Sequence, residues 1–149
     1  MKEFIDASVF LGMHHKDERI RVACKNYFVS RLNSNVGISL EQVGKCDDVI
    51  WQFPRKQQDM YYPFMDNLHT IMAIERTSYN ERDIKEAQFN LRFQDLYFSD
   101  RLTLGMVLAR GAVLYSIHPQ LTNIDFVRSP KIGYEQIFPK ELNTYINNL

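Results

Sequence analysis

The chain has 149 residues and a formal net charge of zero, with 18 Lys and Arg side chains against 18 Asp and Glu. Its length is typical of one domain, and a 45% hydrophobic content at zero net charge excludes a disordered protein. The charge balance gives no sign of a strongly basic nucleic-acid-binding surface, and the apolar runs are too short to span a membrane. We therefore expect one folded domain over residues 1–149 and no membrane segment.

The amino terminus and the cysteines indicate the cellular compartment. Asp6 interrupts the first apolar run and no small-residue cleavage pattern follows, so we predict no secretory signal. Cys24 and Cys46 lack the spacing of metal-binding or redox pairs. We expect a cytoplasmic protein with reduced cysteines, in which Cys24 is a small buried hydrophobic residue.

The first half of the chain reads as strand, helix, strand and two helices. We predict a strand over residues 4–11, a helix over 17–32 and a buried strand at Val36–Ser39. A helix should start near Ser39 or Leu40, and a further helix should cover residues 57–76, kinked or started late by the proline inside it.

The second half ends in a helix–strand unit. Asn80 should cap a helix over residues 81–93, and Ser99–Asp100 should cap a nearly all-apolar helix that ends at Gly111. Strands are expected over residues 112–117 and 124–127, with a closing helix from Lys140. A buried helix that feeds an apolar strand through glycine is typical of βαβ units. We therefore predict an α/β fold, a three-layer α/β/α arrangement with a small, mostly parallel sheet.

Aromatic residues are frequent in the middle of the chain. We expect them to form the helical core, with stacking on nucleic-acid bases as the alternative. The residues concerned are Tyr61, Tyr62, Phe64, Phe89, Phe93, Tyr97 and Phe98. The apolar stretch at residues 71–74 should belong either to this core or to an interface between two copies of the chain.

Four polar residues stand where a predicted strand or helix begins or ends: Asp6, Glu41, Asp100 and His118. Ligands of open α/β sheets bind beyond the carboxyl ends of the strands, so these side chains can converge there. Three carboxylates in one place repel one another unless a divalent cation holds them together.

This arrangement resembles the PIN domain, a family of metal-dependent ribonucleases and their non-catalytic relatives. Residues 4–11 resemble the first strand of the family with its metal-binding aspartate, and residues 38–43 resemble the second strand and its glutamate. Residues 100–118 resemble the third aspartate, the apolar helix and the strand that ends in a Thr/Ser-x-Asp motif. Here His118 stands where the family usually has its fourth aspartate.

The resemblance implies a metal-dependent ribonuclease. Asp6, Glu41 and Asp100 would bind Mg²⁺ or Mn²⁺, His118 would be a fourth ligand, and Ser116 would hydrogen-bond to the ligands from behind. The ion would activate a water molecule that hydrolyses a phosphodiester of RNA. The resemblance also implies a homodimer and the role of a toxin with an antitoxin-like protein partner.

Two other interpretations remain open at this stage. In one, the protein is a PIN-like module without catalytic activity that binds a protein or nucleic acid, as the histidine at the fourth position favours. In the other, the fold is an unrelated α/β domain whose carboxylates have ordinary roles. Asp6 would then accept backbone N–H groups, Asp100 would cap a helix, Glu41 would face a helix dipole and His118 would lie in a loop.

Overall fold

The computed structural model of the protein describes residues 2–132. In this part of the chain the strands are β1 (Glu3–Ile5), β2 (Val36–Ser39), β3 (Glu75–Thr77), β4 (Val113–Tyr115) and β5 (Val127–Arg128). The α-helices are α1 (Ala7–Gly12), α2 (Glu18–Val29), α3 (Leu40–Ile50), α4 (Arg55–Ile71), α5 (Glu81–Phe89) and α6 (Phe98–Ala109). A short 3₁₀ helix covers Leu91–Phe93.

The strands form a single parallel sheet with the order β3-β2-β1-β4-β5. Side chains of β1 alternate between the two faces, as strand geometry requires. Phe4 packs in one hydrophobic cluster with residues of α6 and β4, whereas Ile5 packs in another with residues of α1 to α4. Helices therefore cover both faces, and the predicted α/β class with a parallel sheet is confirmed.

Several boundaries agree with local sequence signals. β2 covers the predicted residues, and α3 starts at Leu40 with Ser39 as its N-cap. The Asn80 side chain caps α5 by accepting the Asp83 backbone amide, and the Asp83 carboxylate accepts the Asn80 backbone amide. Gly111 lies two residues after the end of α6 and has a φ of 60°. This left-handed conformation carries no steric penalty for glycine, and it turns the chain from the helix toward β4.

The first predicted strand is wrong beyond Ile5. The Asp6 side chain accepts a hydrogen bond from the backbone amide of Ser8, so the chain turns into α1 instead of continuing as a strand. The run Val9–Leu11 is therefore helical, because a short apolar run fits a buried helix as well as a strand.

Other predicted boundaries also differ. Helix α4 continues through Pro63 but ends at Ile71, and after a left-handed turn at Ala73 the chain forms edge strand β3. Helix α6 starts at Phe98, so Asp100 lies within its first turn and is not the cap. Helix α5 ends at Phe89, β4 and β5 are shorter than predicted, and the helix from Lys140 lies outside the described residues.

The aromatic residues divide between core and surface. Tyr61, Phe64 and Phe93 are buried, as predicted. The prediction is wrong for Phe89 and Tyr97, each 74% exposed, because they lie at the end of α5 and just before α6, where the chain runs over the surface. Phe98 is also exposed. Cys24 is fully buried, and no described helix is long and apolar enough to cross a membrane.

Candidate functional site

The candidate site lies where the central parallel strands end. Asp6 follows β1, Ser39 ends β2 and Ser116 follows β4. Because these three strands are neighbours and parallel, their carboxyl ends lie at the same edge of the sheet. We call the residues predicted there, Asp6, Glu41, Asp100 and His118, the carboxylate edge.

Asp6 is held by serine hydroxyl groups. Ser116 Oγ donates to Asp6 Oδ2 at 2.6 Å, and both the backbone amide and the hydroxyl of Ser8 donate to Oδ1. Ser8 Oγ in turn accepts the amide of Ile117 at 2.9 Å. These bonds fasten the start of α1 to the end of β4, so they position the carboxylate as well as satisfying it.

Burial dominates the electrostatics of Asp6. The residue is only 4% exposed, and loss of solvation raises the pKa of its carboxyl group above the ordinary value of 3.8. The hydrogen bonds from Ser116 and Ser8 and the charge of His118 act in the opposite direction on this pKa. Asp6 is therefore a carboxyl group that takes up a proton more readily than a solvated aspartate.

Asp100 lies between two nitrogen groups. His118 Nε2 is 3.8 Å from Asp100 Oδ2, and Lys45 Nζ is 3.9 Å from Asp100 Oδ1. The Nδ1 atom of His118 accepts the backbone amide of Gln120 at 3.3 Å, so the neutral ring has its proton on Nε2, the nitrogen that faces Asp100. The pair can therefore orient the imidazole with a donor toward the carboxylate.

Glu41 has different partners. The Tyr79 hydroxyl donates to Glu41 Oε1 at 2.9 Å and lies 3.1 Å from Ser39 Oγ. Tyr79 precedes the N-cap of α5, so it connects that segment to the first turn of α3. Glu41 thus lies at the same end of the sheet as the other carboxylates but is bound to a tyrosine.

A buried glutamine joins the elements that carry the carboxylates. Gln42 Oε1 accepts the amide of Ala7 at 2.9 Å, and its Nε2 donates to Thr103 Oγ1 at 3.1 Å. Thr103 lies on α6, one turn after Asp100. Gln42 therefore links α1, α3 and α6, and it fixes the relative positions of the segments that present Asp6 and Asp100.

The described arrangement does not fit a bound divalent ion. Oxygen and imidazole groups suit Mg²⁺ or Mn²⁺ by their chemistry. Within residues 2–132, however, no three His, Cys, Asp or Glu side chains lie close enough together to hold a metal ion. Asp100 faces Lys45 and His118, and Glu41 is bonded to Tyr79.

The predicted site residues form two contacting pairs, Ser116 with Asp6 and His118 with Asp100. Glu41 contacts Tyr79 instead. Sequence reasoning missed Lys45, Tyr79, Gln42 and Ser8. Lys45 could have been found, because it follows Glu41 by four residues and therefore lies on the same face of α3. No signal in the sequence points to Tyr79, which reaches Glu41 across 38 residues.

Solved structures with the same fold include toxin–antitoxin assemblies. A chain of a toxin–antitoxin complex from Klebsiella pneumoniae has a TM-score of 0.61 at 10% identity, covering 89% of this chain and 100% of that chain. A chain of VapBC2 from Rickettsia felis, bound to a DNA fragment from its promoter, has a TM-score of 0.64 at 12% identity, with coverages of 88% and 100%. A chain of DNA-bound VapBC from Salmonella typhimurium has a TM-score of 0.62 at 15% identity, with coverages of 87% and 96%.

These three similarities concern the fold alone, because the sequence identities are only 10% to 15%. Together with the parallel sheet they confirm the PIN-like α/β/α architecture that the sequence predicted. A comparison with curated protein sequences found no match. Residues 1–148 match a sequence family whose description is "Family of unknown function (DUF6190)". The chain therefore belongs to the DUF6190 family, and its fold is PIN-like.

Proposed function

We propose that this protein is a PIN-type ribonuclease whose reaction takes place at the carboxylate edge. One observation carries the proposal: a buried carboxylate, Asp6, lies at the carboxyl end of the central strand, beside an aspartate–histidine pair. A buried ionisable group that several hydrogen bonds hold in place at the ligand-binding end of a parallel sheet is typical of a reactive site.

The residues of the edge can perform separate parts of phosphodiester cleavage. His118 can exchange a proton at Nε2, and the Asp100 carboxylate, 3.8 Å from that nitrogen, can orient the ring. The ammonium group of Lys45, which is partly exposed, can neutralise charge on a phosphate that binds at the edge. Asp6, Glu41 and Asp100 are the proposed acidic residues of the site, and Ser116 positions Asp6.

The biological setting is also a proposal. Solved structures with this fold include chains of a toxin–antitoxin complex and of VapBC assemblies bound to DNA. By analogy, we propose that this protein acts in the cytoplasm on RNA and that an antitoxin-like protein binds and restrains it. Co-purification of the protein with the product of a neighbouring gene would test the partner.

An RNA cleavage assay tests the enzymatic proposal. We expect the wild type to cleave a labelled single-stranded RNA when Mn²⁺ or Mg²⁺ is present and not when EDTA is present, and the three conditions are measured side by side. Asp6→Asn and Asp100→Asn should each lower the rate by about 100-fold or more, because loss of a positioned catalytic group typically has that effect. Asp59→Asn is the matched control, since Asp59 is an exposed helical aspartate paired with Arg55.

If the folded wild type cleaves no RNA under any of the three conditions, the proposal that the protein is a ribonuclease is contradicted. A second function would then be favoured, that of a PIN-like module that binds without catalysis. His118 at the fourth position and the Lys45 contact to Asp100 favour this alternative. Fluorescence anisotropy with the same RNA would measure such binding.

A further inference from the structure

The Asp100 carboxylate already has a positive group beside it. Lys45 Nζ is 3.9 Å from Asp100 Oδ1, and it donates a hydrogen bond to Ser99 Oγ at 3.1 Å. The Asp100 side chain is 8% exposed, whereas that of Lys45 is 39% exposed. The lysine therefore extends its ammonium group from the surface of α3 toward a nearly buried carboxylate on α6, and the Ser99 hydroxyl holds it there.

The position of Lys45 on α3 places it close to a second carboxylate. Glu41 lies four residues earlier on the same helix, so the two side chains share one helical face. Asp100 approaches that face from α6. In this structure the group that reaches Asp100 from α3 is the ammonium of Lys45, whereas Glu41 accepts a hydrogen bond from the Tyr79 hydroxyl.

We propose that the Lys45 ammonium is the resident cation of the carboxylate edge: it lies beside Asp100 in place of the divalent ion that the described residues do not fit, so an added ion must compete with it. This inference rests on the proposed function, since it concerns the ion that a PIN-type ribonuclease would use. A divalent ion at Asp100 would lie close to a like charge, and at such distances in a partly buried site the repulsion is several times stronger than in bulk water. This repulsion weakens the binding of an ion at Asp100 for as long as Lys45 stays beside it.

Calorimetric titration of Mn²⁺ into the intact protein tests this inference directly. Lys45→Met removes the charge and keeps an unbranched side chain of similar length, so the fold of α3 should be preserved. We expect Lys45→Met to bind Mn²⁺ at least about tenfold more tightly than the wild type, because the competing charge is gone. Lys45→Gln should change the affinity in the same direction, and it serves as a second variant if the first is poorly folded.

Lys85→Met is the matched control. Lys85 also pairs with a carboxylate, Glu81, at 3.1 Å, but this pair lies on the exposed surface of α5. The Lys85→Met variant should bind Mn²⁺ with the same affinity as the wild type. The double variant Lys45→Met/Asp100→Asn should lose the gain in affinity, because the ion then lacks the carboxylate that the lysine had occupied.

The outcomes separate this inference from the proposed function. Equal Mn²⁺ affinity in the wild type and Lys45→Met, absence of binding in both, or a gain that persists without the Asp100 carboxylate would each overturn the role of Lys45. The RNA cleavage assay is independent of these results. Cleavage by the wild type together with an unchanged Mn²⁺ affinity in Lys45→Met would preserve the ribonuclease and refute the competition.

Discussion

Two buried aspartates in this protein are held in opposite ways. Asp83, in the first turn of α5, is completely buried and forms an ion pair with Arg110 at 2.8 Å. It also completes the capping box with Asn80. Asp6, at the carboxylate edge, is nearly as buried, but its hydrogen bonds come from serine hydroxyls and a backbone amide.

The difference distinguishes a carboxylate held by an ion pair from one held by neutral donors. A guanidinium partner binds an aspartate through charge-assisted hydrogen bonds of fixed geometry, which suits a site where two helices pack. Hydroxyl groups hold a carboxylate in position without neutralising its charge, so its protonation state stays responsive to what binds nearby. The α5–α6 contact is therefore expected to contribute to stability, and Asp6 is the carboxylate that the proposed ribonuclease would use.

Removing the structural carboxylate should have the largest effect on stability. Asp83→Ala leaves Arg110 without its partner and α5 without half of its capping box. Loss of one member of a buried pair typically costs 3–5 kcal/mol, and because Arg110 is partly exposed we expect about 3 kcal/mol. Urea denaturation measures the change in the free energy of unfolding.

The control for Asp83 is Asp125→Asn, which breaks the exposed pair with Arg92. That change should cost no more than about 1 kcal/mol, as is usual for surface pairs. Equal urea midpoints for Asp83→Ala and Asp125→Asn would contradict a structural role for Asp83.

The packing of α5 against α6 should be sensitive to a single methyl group. A Cβ atom at Gly105 would lie 2.6 Å from the carbonyl oxygen of Asp83 and 2.8 Å from the amide nitrogen of Ala87, so the two helices would have to separate. We expect Gly105→Ala to destabilise the protein by about 1–3 kcal/mol in thermal or urea unfolding, as overpacked sites do.

Gly44 provides a matched comparison for this prediction. It lies inside α3, and a Cβ built there meets no atom within 4 Å. Gly44→Ala should therefore stabilise the protein by about 0.5–1 kcal/mol, because alanine is the better helix former. If Gly105→Ala were also stabilising, the close contact between α5 and α6 would be refuted.

Asp6 should give the smallest effect on stability, and one that depends on pH. Burial raises the pKa of Asp6 in the folded protein above 3.8, so its protonated form favours folding. This contribution is fully present below pH 3.8 and is lost as the pH rises through the folded-state pKa. Asp6→Asn stays neutral, and its stability relative to the wild type should rise over that interval and then level off.

Urea unfolding at several values between about pH 4 and pH 8 measures this difference. Asp59→Asn serves as the control, because Asp59 is largely exposed. The stability of Asp59→Asn relative to the wild type should not rise with pH as that of Asp6→Asn does. A difference between Asp6→Asn and the wild type that is constant across the interval would show that burial does not raise the pKa of Asp6.

Much of the fold could be predicted because its signals are local. Ser39, Asn80 and Gly111 each act within one turn of the chain, and each marked a helix boundary close to its true place. β3 was missed because it is a three-residue edge strand with two exposed residues and no apolar alternation. Its strand character comes from pairing with β2, which a local pattern does not contain.

The candidate site was predictable only in outline. The rule that ligands bind at the carboxyl ends of parallel strands placed Asp6 and His118 at the same end of the sheet. The partners of each carboxylate depend on contacts between distant segments, such as Lys45 with Asp100 and Tyr79 with Glu41. Those contacts decide whether a carboxylate is free for a ligand, and the sequence alone does not encode them in any short pattern.

The topology also sets the time at which the site can exist during synthesis. β1 is the first strand to leave the ribosome, but one of its two neighbours in the sheet is β4. The hydrogen bond from Ser116 to Asp6 connects residues that are 110 positions apart in the chain. Pairing between such distant segments forms late, because a long loop must close first. A nascent chain therefore has no assembled candidate site until Ser116 has emerged, and incomplete chains released before that point would lack the hydrogen bond that positions Asp6.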